Sequence, residues 1–190
     1  MEEKDIIKEL QNGNSDAYRR IIDEYQPFLL NCCFRFVHSR EIARDITQDV
    51  FVEVYKSIGK FRADSSLKTW LYRIAITKSL DYLKAAKRKK RFGYVKSIFG
   101  FDEDDMNIPT LGSAPFEQVE NEERIKILSD AIDSLPENQK AAFTLNKYSG
   151  LSYKEIADIL GTSVSSVESL IFRGKANLKK KLFNYYKRHI

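Results

Sequence analysis

The sequence contains few of the residues that build metal and redox sites. Two cysteines, Cys32 and Cys33, and two histidines, His38 and His189, are present among its 190 residues. A structural metal site needs about four such ligands at suitable spacing, so we predict no metal site. The adjacent cysteines lie in an apolar segment, where we expect buried, reduced thiols.

Long hydrophobic runs are also absent. No apolar run approaches the roughly 18 residues that cross a bilayer, and Met1–Asp5 lacks the features of a signal peptide. We therefore expect a cytoplasmic protein without membrane insertion. A glycine-rich phosphate loop and a nucleophile–base set are missing too, so we predict no enzyme, no cofactor and no small-molecule substrate.

Positive charge is missing from one stretch of an otherwise basic chain. The net charge is +5, yet residues 101–123 contain eight acidic residues and no lysine or arginine. Basic residues concentrate instead at positions 84–91 and 173–188. Two basic blocks separated by an acidic one indicate two separate contacts with a polyanion.

Alternating strand patterns are absent as well, and the hydrophobic periodicity is helical nearly throughout. We predict an all-α fold with two small helical domains joined by a flexible acidic linker. The N-terminal domain covers residues 1–91, the linker 92–115, and the C-terminal domain 116–190. The predicted linker lacks helical periodicity and is interrupted by glycine and proline.

The N-terminal domain is predicted to hold four helical segments. Ser15 and Ser39 are good N-caps for the second and third. The third helix ends near Ile58, and we expect Tyr55 to belong to its buried face. Its exposed face is acidic and polar, formed by Asp45, Gln48, Asp49 and Glu53.

The fourth segment, Ser65 to Arg91, combines an apolar back with a polar ridge and a basic end. The ridge repeats at intervals of about four residues: Arg73, Thr77, Asp81, Lys84 and Arg88. This combination suits a helix lying against a nucleic-acid backbone. An ordinary amphipathic helix with a solvated tail is the alternative.

Two short helices near the C-terminus fit a helix-turn-helix. Ser152 and Glu155 form a capping-box pattern before the first helix, and Gly161 ends it. In the second helix we expect Val164, Val167 and Ile171 to face inward. The outward positions are Ser165, Ser166, Ser169, Phe172 and Arg173, followed by Lys175 as a phosphate contact. A generic helical hairpin is the alternative interpretation.

Glu168, in the same helix, has two interpretations. It can accept a hydrogen bond from a cytosine amino group, or it can satisfy an amide in the first turn together with Ser165. We favour the capping interpretation.

Four segments occur in a diagnostic order. They are Asp45-Ile46-Thr47-Gln48-Asp49-Val50-Phe51, then Thr69-Trp70-Leu71-Tyr72-Arg73-Ile74-Ala75, then Leu135-Pro136 with Tyr153-Lys154-Glu155-Ile156-Ala157. With these segments the sequence resembles bacterial RNA polymerase sigma factors of the extracytoplasmic-function (ECF) group. The resemblance covers nearly the whole chain outside the linker.

The resemblance implies a factor that binds core RNA polymerase and directs initiation at promoters with −10 and −35 elements. The acidic face would bind the polymerase, and the loop from Phe61 to Leu67 would hold a flipped −10 base. The implied −10 residues are Phe61, Arg62, Asp64, Ser65, Ser66, Tyr72, Arg73, Thr77, Lys84, Lys87 and Arg88. The implied −35 residues are Ser165, Ser166, Ser169, Phe172, Arg173 and Lys175. The linker would pass near the RNA exit path. From the two-domain architecture we further expect that an anti-sigma protein silences the factor by wedging between the two domains.

A few positions depart from the family pattern. Thr77 stands where relatives often carry Asn, and Glu168 and Leu170 stand where some carry Arg. Trp70 is interpreted as core packing, whereas Phe61 and Tyr72 are the expected stacking residues. Two other functions remain open at this point: a stand-alone dimeric helix-turn-helix regulator, and an anti-sigma-binding decoy without transcriptional activity.

Overall fold

The computed structural model describes the backbone of residues 3–98 and 116–189 and the side chains within 3–88 and 124–187. Within these ranges all regular structure is helical, which confirms the all-α prediction. The helices are α1 (Glu3–Gln11), α2 (Ser15–Val37), α3 (Arg40–Ser57), α4 (Leu67–Ile98), α5 (Phe116–Asp133), α6 (Glu137–Ser149), α7 (Tyr153–Leu160) and α8 (Val164–His189), with a 3₁₀ turn at Ile58–Lys60. In this part of the chain no helix combines the length and apolar character needed to span a bilayer.

Local capping sets where α2 and α3 begin. The Asn14 side chain accepts hydrogen bonds from the amides of Asp16, at 2.9 Å, and Ala17, at 3.3 Å. Asn14 is therefore the N-cap of α2, and the prediction of Ser15 is wrong by one residue. Ser39 caps α3 as predicted, accepting from the amide of Ile42 at 3.4 Å.

The N-terminal helices α1–α4 pack around a core of their own. Leu29 of α2, Val50 and Val54 of α3 and Leu71 of α4 are among its fully buried members. Tyr55, expected in this core, is instead 69% exposed. Val54 and Ile58 already occupy the inward positions, so Tyr55 lies at the helix edge.

Helix α4 is longer than the sequence indicated. It continues to Ile98, so the first seven residues of the predicted linker are helical. A single residue, Gly93, costs a helix only about 1 kcal/mol relative to alanine, which is too little to end it. The rest of the predicted linker, residues 99–115, lies outside the described residues.

The C-terminal helices α5–α8 contain the predicted helix-turn-helix. The Ser152–Glu155 capping box is present in full, and Gly161 ends α7 with φ = 62° in the left-handed region. Val167 and Ile171 of α8 are buried as expected. Val164 is 47% exposed, because the first residue of a helix that begins at a turn is covered on one side only.

The N-terminal and C-terminal helices also pack against each other, in a contact that we call the seam. Four buried N-terminal side chains take part, none more than 3% exposed: Cys32, Phe36, Tyr72 and Ile76. They belong to one apolar cluster with buried residues of α6, α7 and α8. The partly buried Val37, Leu80 and Leu83 pack against the same cluster. Neighbouring Cys33 instead faces the N-terminal core, so α2 contributes to two cores at once.

Candidate nucleic-acid interface

The loop before α4 is held in place by α1. The Gln11 amide nitrogen donates to the carbonyl oxygens of Ile58, at 3.3 Å, and Phe61, at 3.0 Å. The Glu3 carboxylate accepts a hydrogen bond from the amide of Leu67 at the start of α4. Both ends of the loop are therefore fixed by one short helix.

The loop itself adopts a strained conformation. Ala63 has φ = 59°, a left-handed conformation that costs a residue with a Cβ about 1–2 kcal/mol. Next to α4, the Ser66 hydroxyl accepts from the amide of Thr69 at 3.1 Å, which makes Ser66 the N-cap. In the structure the Ser66 hydroxyl is thus engaged in capping, a role that the prediction of a DNA contact did not include.

An open cleft of about 440 Å³ lies between this loop, α3 and α4. Its lining residues are Glu53, Ser57, Lys60, Phe61, Arg62, Asp64, Ser65, Trp70, Arg73 and Ile74. The rings of Phe61 and Trp70 lie 4.7 Å apart with a 30° tilt. Trp70 packs on the N-terminal core, as interpreted from the sequence, but its ring also lines the cleft. Aromatic rings with a polar rim can stack against a planar base.

The predicted ridge of α4 is exposed, and several of its side chains contact protein groups. The Arg73 guanidinium donates to the Asp158 carbonyl in α7, and the Thr77 hydroxyl donates back to the Arg73 carbonyl at 2.9 Å. Lys87 lies 3.9 Å from the Glu137 carboxylate at the start of α6. Within the ridge, Lys84 lies 3.7 Å from the Asp81 carboxylate, and both Lys84 and Arg88 are exposed.

Tyr72, which the sequence analysis assigned to base stacking, is buried. It is 3% exposed and packed in the seam, so the expectation of an exposed stacking ring is wrong for this conformation. Burial, with a smaller contribution from the nearby Cys32 thiol, raises the pKa of Tyr72 to about 12. Its phenol is therefore neutral near pH 7.

The acidic face of α3 is exposed as predicted, and it contains a residue that the sequence analysis missed. Val52 is 49% exposed, and its helical position lies among those of Gln48, Asp49 and Glu53. Single exposed apolar residues are common, but one surrounded by polar groups can form the apolar centre of a protein–protein contact. Its spacing could have indicated this position, because residues three and four apart lie on the same face of a helix, and Val52 follows Asp49 by three residues and Gln48 by four.

The outward face of α8 carries short hydroxyl side chains followed by an aromatic one. Ser163 caps the helix, accepting from the amide of Ser166 at 3.1 Å. The favoured interpretation of Glu168 with Ser165 as the cap is therefore wrong, and Glu168 is exposed. Phe172 is 74% exposed, so its ring is accessible to a partner.

The end of this face is basic. The Arg173 Nε donates to the Ser169 carbonyl at 3.2 Å, which lays the side chain along the helix. Lys175 is exposed. Among the side chains that the structure describes, no group of acidic, histidine or cysteine residues could hold a metal ion.

Known families match both halves of this arrangement. The Sigma-70 region 2 family matches residues 21–89, and the Sigma-70, region 4 family matches residues 125–178. The RNA polymerase sigma-H factor of Pseudomonas aeruginosa is 32% identical over 182 residues, covering 95% of this chain and 94% of the relative. The ECF RNA polymerase sigma-E factor of Escherichia coli K12 is 32% identical over 177 residues, covering 93% and 92%. The chain belongs to the ECF sigma factors.

Solved structures of other proteins have the same helical fold as this sigma factor. CnrH, in complex with the cytosolic domain of CnrY, matches with a TM-score of 0.67 at 22% identity, covering 94% of this chain and 96% of CnrH. The sigma factor RpoE of Bartonella quintana, in complex with the anti-sigma factor NepR, matches at 0.60 and 21%, covering 87% and 96%.

The family confirms the function expected from the resemblance. This sigma factor is a non-catalytic initiation factor that recognises promoters, and not an enzyme. A stand-alone regulator is not favoured, because the region 2 match spans the N-terminal helices that such a protein would not need.

Proposed function

We propose that the sigma factor divides promoter recognition between its two helical regions. Residues 1–91 bind core polymerase and engage the −10 element, residues 92–115 connect, and residues 116–190 read the −35 element. The observation that carries this proposal is the position of Glu53. This residue ends the acidic face of α3 and also lines the aromatic cleft. Polymerase bound along α3 therefore holds an opening DNA strand next to the cleft.

The polymerase contact in this proposal uses Asp45, Gln48, Asp49 and Glu53, with Val52 as an apolar centre. Exposed carboxylates favour a basic partner surface and accelerate association with it. Val52 adds an apolar contact that salt does not screen.

The −10 contact combines stacking with phosphate binding. A displaced base enters the cleft against Phe61 and Trp70, with Arg62, Asp64 and Ser65 at its rim. The basic side chains of α4 follow the backbone: Arg73, Lys84, Lys87 and Arg88. Because these contacts release counterions, binding weakens as salt rises.

The −35 contact uses the outward face of α8 in the major groove. Ser165, Ser166 and Ser169 allow a close approach and form adaptable hydrogen bonds, and Phe172 suits a thymine methyl group. Arg173 reaches a guanine edge or a phosphate, and Lys175 a phosphate.

We further propose that the protein acts in the cytoplasm, where core polymerase and promoter DNA are found. Two similar factors, CnrH and RpoE of Bartonella quintana, were solved in complexes with CnrY and NepR. By analogy we propose an anti-sigma protein that contacts both helical regions of this chain.

The test is transcription by core polymerase reconstituted with the purified factor on a pool of genomic fragments. We expect initiation at a defined set of start sites that share −10 and −35 sequences. Phe61→Ala should retain polymerase binding but lose strand opening, measured by permanganate reactivity of thymines near −10. Phe28→Ala, at an exposed phenylalanine of α2, is the matched control. Failure to initiate at any fragment would contradict the proposal.

A further inference from the structure

The loop before α4 separates two clefts. The aromatic cleft described above lies on one side, and a second open cleft of about 470 Å³ lies on the other side, between the loop and α1. Asp64 and Ser65 line both clefts. Three residues of α1 line the second cleft: Glu3, Lys4 and Ile7. The middle of the loop therefore has open space on both sides, and packing alone does not fix its position.

Hydrogen bonds from α1 hold the two ends of the loop instead. Gln11, the last residue of α1, donates to the carbonyl oxygens of Ile58 and Phe61, and so joins the 3₁₀ turn to the first residue of the loop. Glu3, the first residue of α1, accepts a hydrogen bond from the amide of Leu67. The position of the loop is therefore set from α1.

The conformation between these two ends needs such support. Ala63, two residues after Phe61, has φ = 59°, a conformation that glycine adopts far more readily than alanine. A strained residue of this kind persists only where its surroundings hold it in place. If the end at Phe61 is released, Ala63 can return to an ordinary backbone conformation. The Phe61 ring would then lose its position beside Trp70 in the aromatic cleft.

Helix α1 lies outside the part of the chain that the family match covers. The Sigma-70 region 2 family matches residues 21–89, which include the loop but not α1. Because α1 buries Ile7 and Leu10, it could serve only to stabilise the N-terminal helices. Gln11 argues against that simple explanation. It is exposed, and its hydrogen bonds go to the turn and to the loop, which the core does not require.

We propose that α1 positions the loop for base capture, with Gln11 as the positioning residue that keeps the aromatic cleft formed before DNA opens. The inference rests on the proposed function, in which a displaced −10 base enters this cleft. A preformed cleft binds a base more tightly than a mobile one, because the loop loses less conformational freedom on binding. If only a fraction of the molecules holds the loop in place, the apparent affinity for the base falls by that fraction.

The experiment changes the donor at position 11 with little change in shape. Gln11→Glu is nearly isosteric, but it replaces the donating amide by a carboxylate that repels both carbonyl oxygens. Gln11→Lys restores a donor and should behave like the wild type. Asn12→Glu and Asn12→Lys, at the neighbouring exposed position, are the matched controls for the added charges.

Trp70 reports the loop without DNA. It is the only tryptophan in the sequence and lines the cleft beside Phe61. In the free full-length protein, we expect Gln11→Glu to shift the Trp70 emission to the red and to increase its quenching by acrylamide. Gln11→Lys and both Asn12 variants should match the wild type. The Tm of Gln11→Glu should fall by no more than about 2–4 °C, because the fold itself is retained.

Strand opening is measured with core polymerase reconstituted with each variant, on a promoter fragment mapped with the wild-type holoenzyme. We expect Gln11→Glu to reduce the permanganate reactivity of thymines near −10 at least about tenfold, with unchanged affinity for core polymerase. In a Phe61→Ala background, Gln11→Glu should cause no further loss, because a residue that acts through Phe61 has nothing left to position. A purely structural role would instead give additive losses.

Three results would overturn the inference. They are wild-type opening in Gln11→Glu, an equal loss in Asn12→Glu, and an additive loss in the Phe61→Ala background. Unchanged Trp70 fluorescence in Gln11→Glu would also contradict the role of the hydrogen bonds in holding the loop. Full opening by Phe61→Ala, or no opening by the wild-type holoenzyme, would instead contradict the proposed function.

Discussion

Lys140→Met should weaken the packing of the two helical regions by about 1–3 kcal/mol, the cost of leaving a buried carbonyl without its donor. The Lys140 side chain is 7% exposed and donates to Phe36 in the last turn of α2, where the helix offers no amide of its own. Methionine keeps the aliphatic packing but removes the ammonium. Asp133 retains His38 and is 35% exposed. The larger cost of about 3–5 kcal/mol for stranding a fully buried charge is therefore not expected.

The assay is urea unfolding of the full chain, followed by circular dichroism, with Lys147→Met as the control at an exposed lysine of the same helix. We expect a lower urea midpoint for Lys140→Met. For Lys147→Met the free energy of unfolding should equal that of the wild type within about 0.5 kcal/mol. An unchanged midpoint for Lys140→Met would show that the hydrogen bond from Lys140 to Phe36 contributes no net stability, contrary to this prediction.

Three further predictions concern separate parts of the molecule. Asp49→Lys should lower the affinity for core polymerase at least about tenfold, measured by fluorescence anisotropy, because it reverses a charge on the proposed binding face. Ser152→Ala should destabilise α7 by about 1 kcal/mol in thermal unfolding, because it removes half of the capping box with Glu155. Acidification from about pH 5 to 3 should reduce the urea midpoint more in the wild type than in Asp133→Asn.

The sign of the pH effect follows from the surroundings of Asp133. Burial opposes its ionisation and is the largest single influence, but hydrogen bonds from His38 and Lys140, and their charges, together lower its pKa. A lowered pKa contributes stability above the unfolded value of about 3.9, which is lost as pH falls through the folded value. Equal slopes for wild type and Asp133→Asn would contradict this reasoning.

The other two predictions have equally direct controls. Asp23→Lys, at an exposed carboxylate of α2, should leave polymerase affinity unchanged, and an equal loss would make the effect one of net charge. Ser152→Asp should restore most of the stability lost in Ser152→Ala, because aspartate is also a good N-cap. No loss in Ser152→Ala would show that tertiary packing alone holds α7.

Sequence reasoning succeeded where structure depends on neighbouring residues. The bounds of α7 follow from the Ser152–Glu155 box and from Gly161, all within ten residues. The exposed face of α3 follows from helical spacing alone. Such features need no knowledge of what packs against them, so a single sequence predicts them.

Sequence reasoning failed where the partner lies far along the chain. Tyr72 is buried by helices α6–α8, and Arg73 bonds a residue 85 positions away. Periodicity identifies an apolar side of a helix but not which of two cores will cover it. Val52 was missed for a related reason. It is an apolar residue within the acidic face of α3, and its spacing does not show whether the side chain is exposed or covered by another helix.

The two sides of the seam lie far apart in the sequence, so they leave the ribosome at different times. Lys140 and Phe36 are 104 residues apart, and at about 5–20 residues per second the second partner follows the first by roughly 5–20 s. During that interval α1–α4 can fold around their own core, while Phe36 and Cys32 lack their cover. The nascent chain therefore exposes an apolar patch that includes Phe36 and the Cys32 thiol. At this stage the chain is most prone to aggregate or to bind a chaperone.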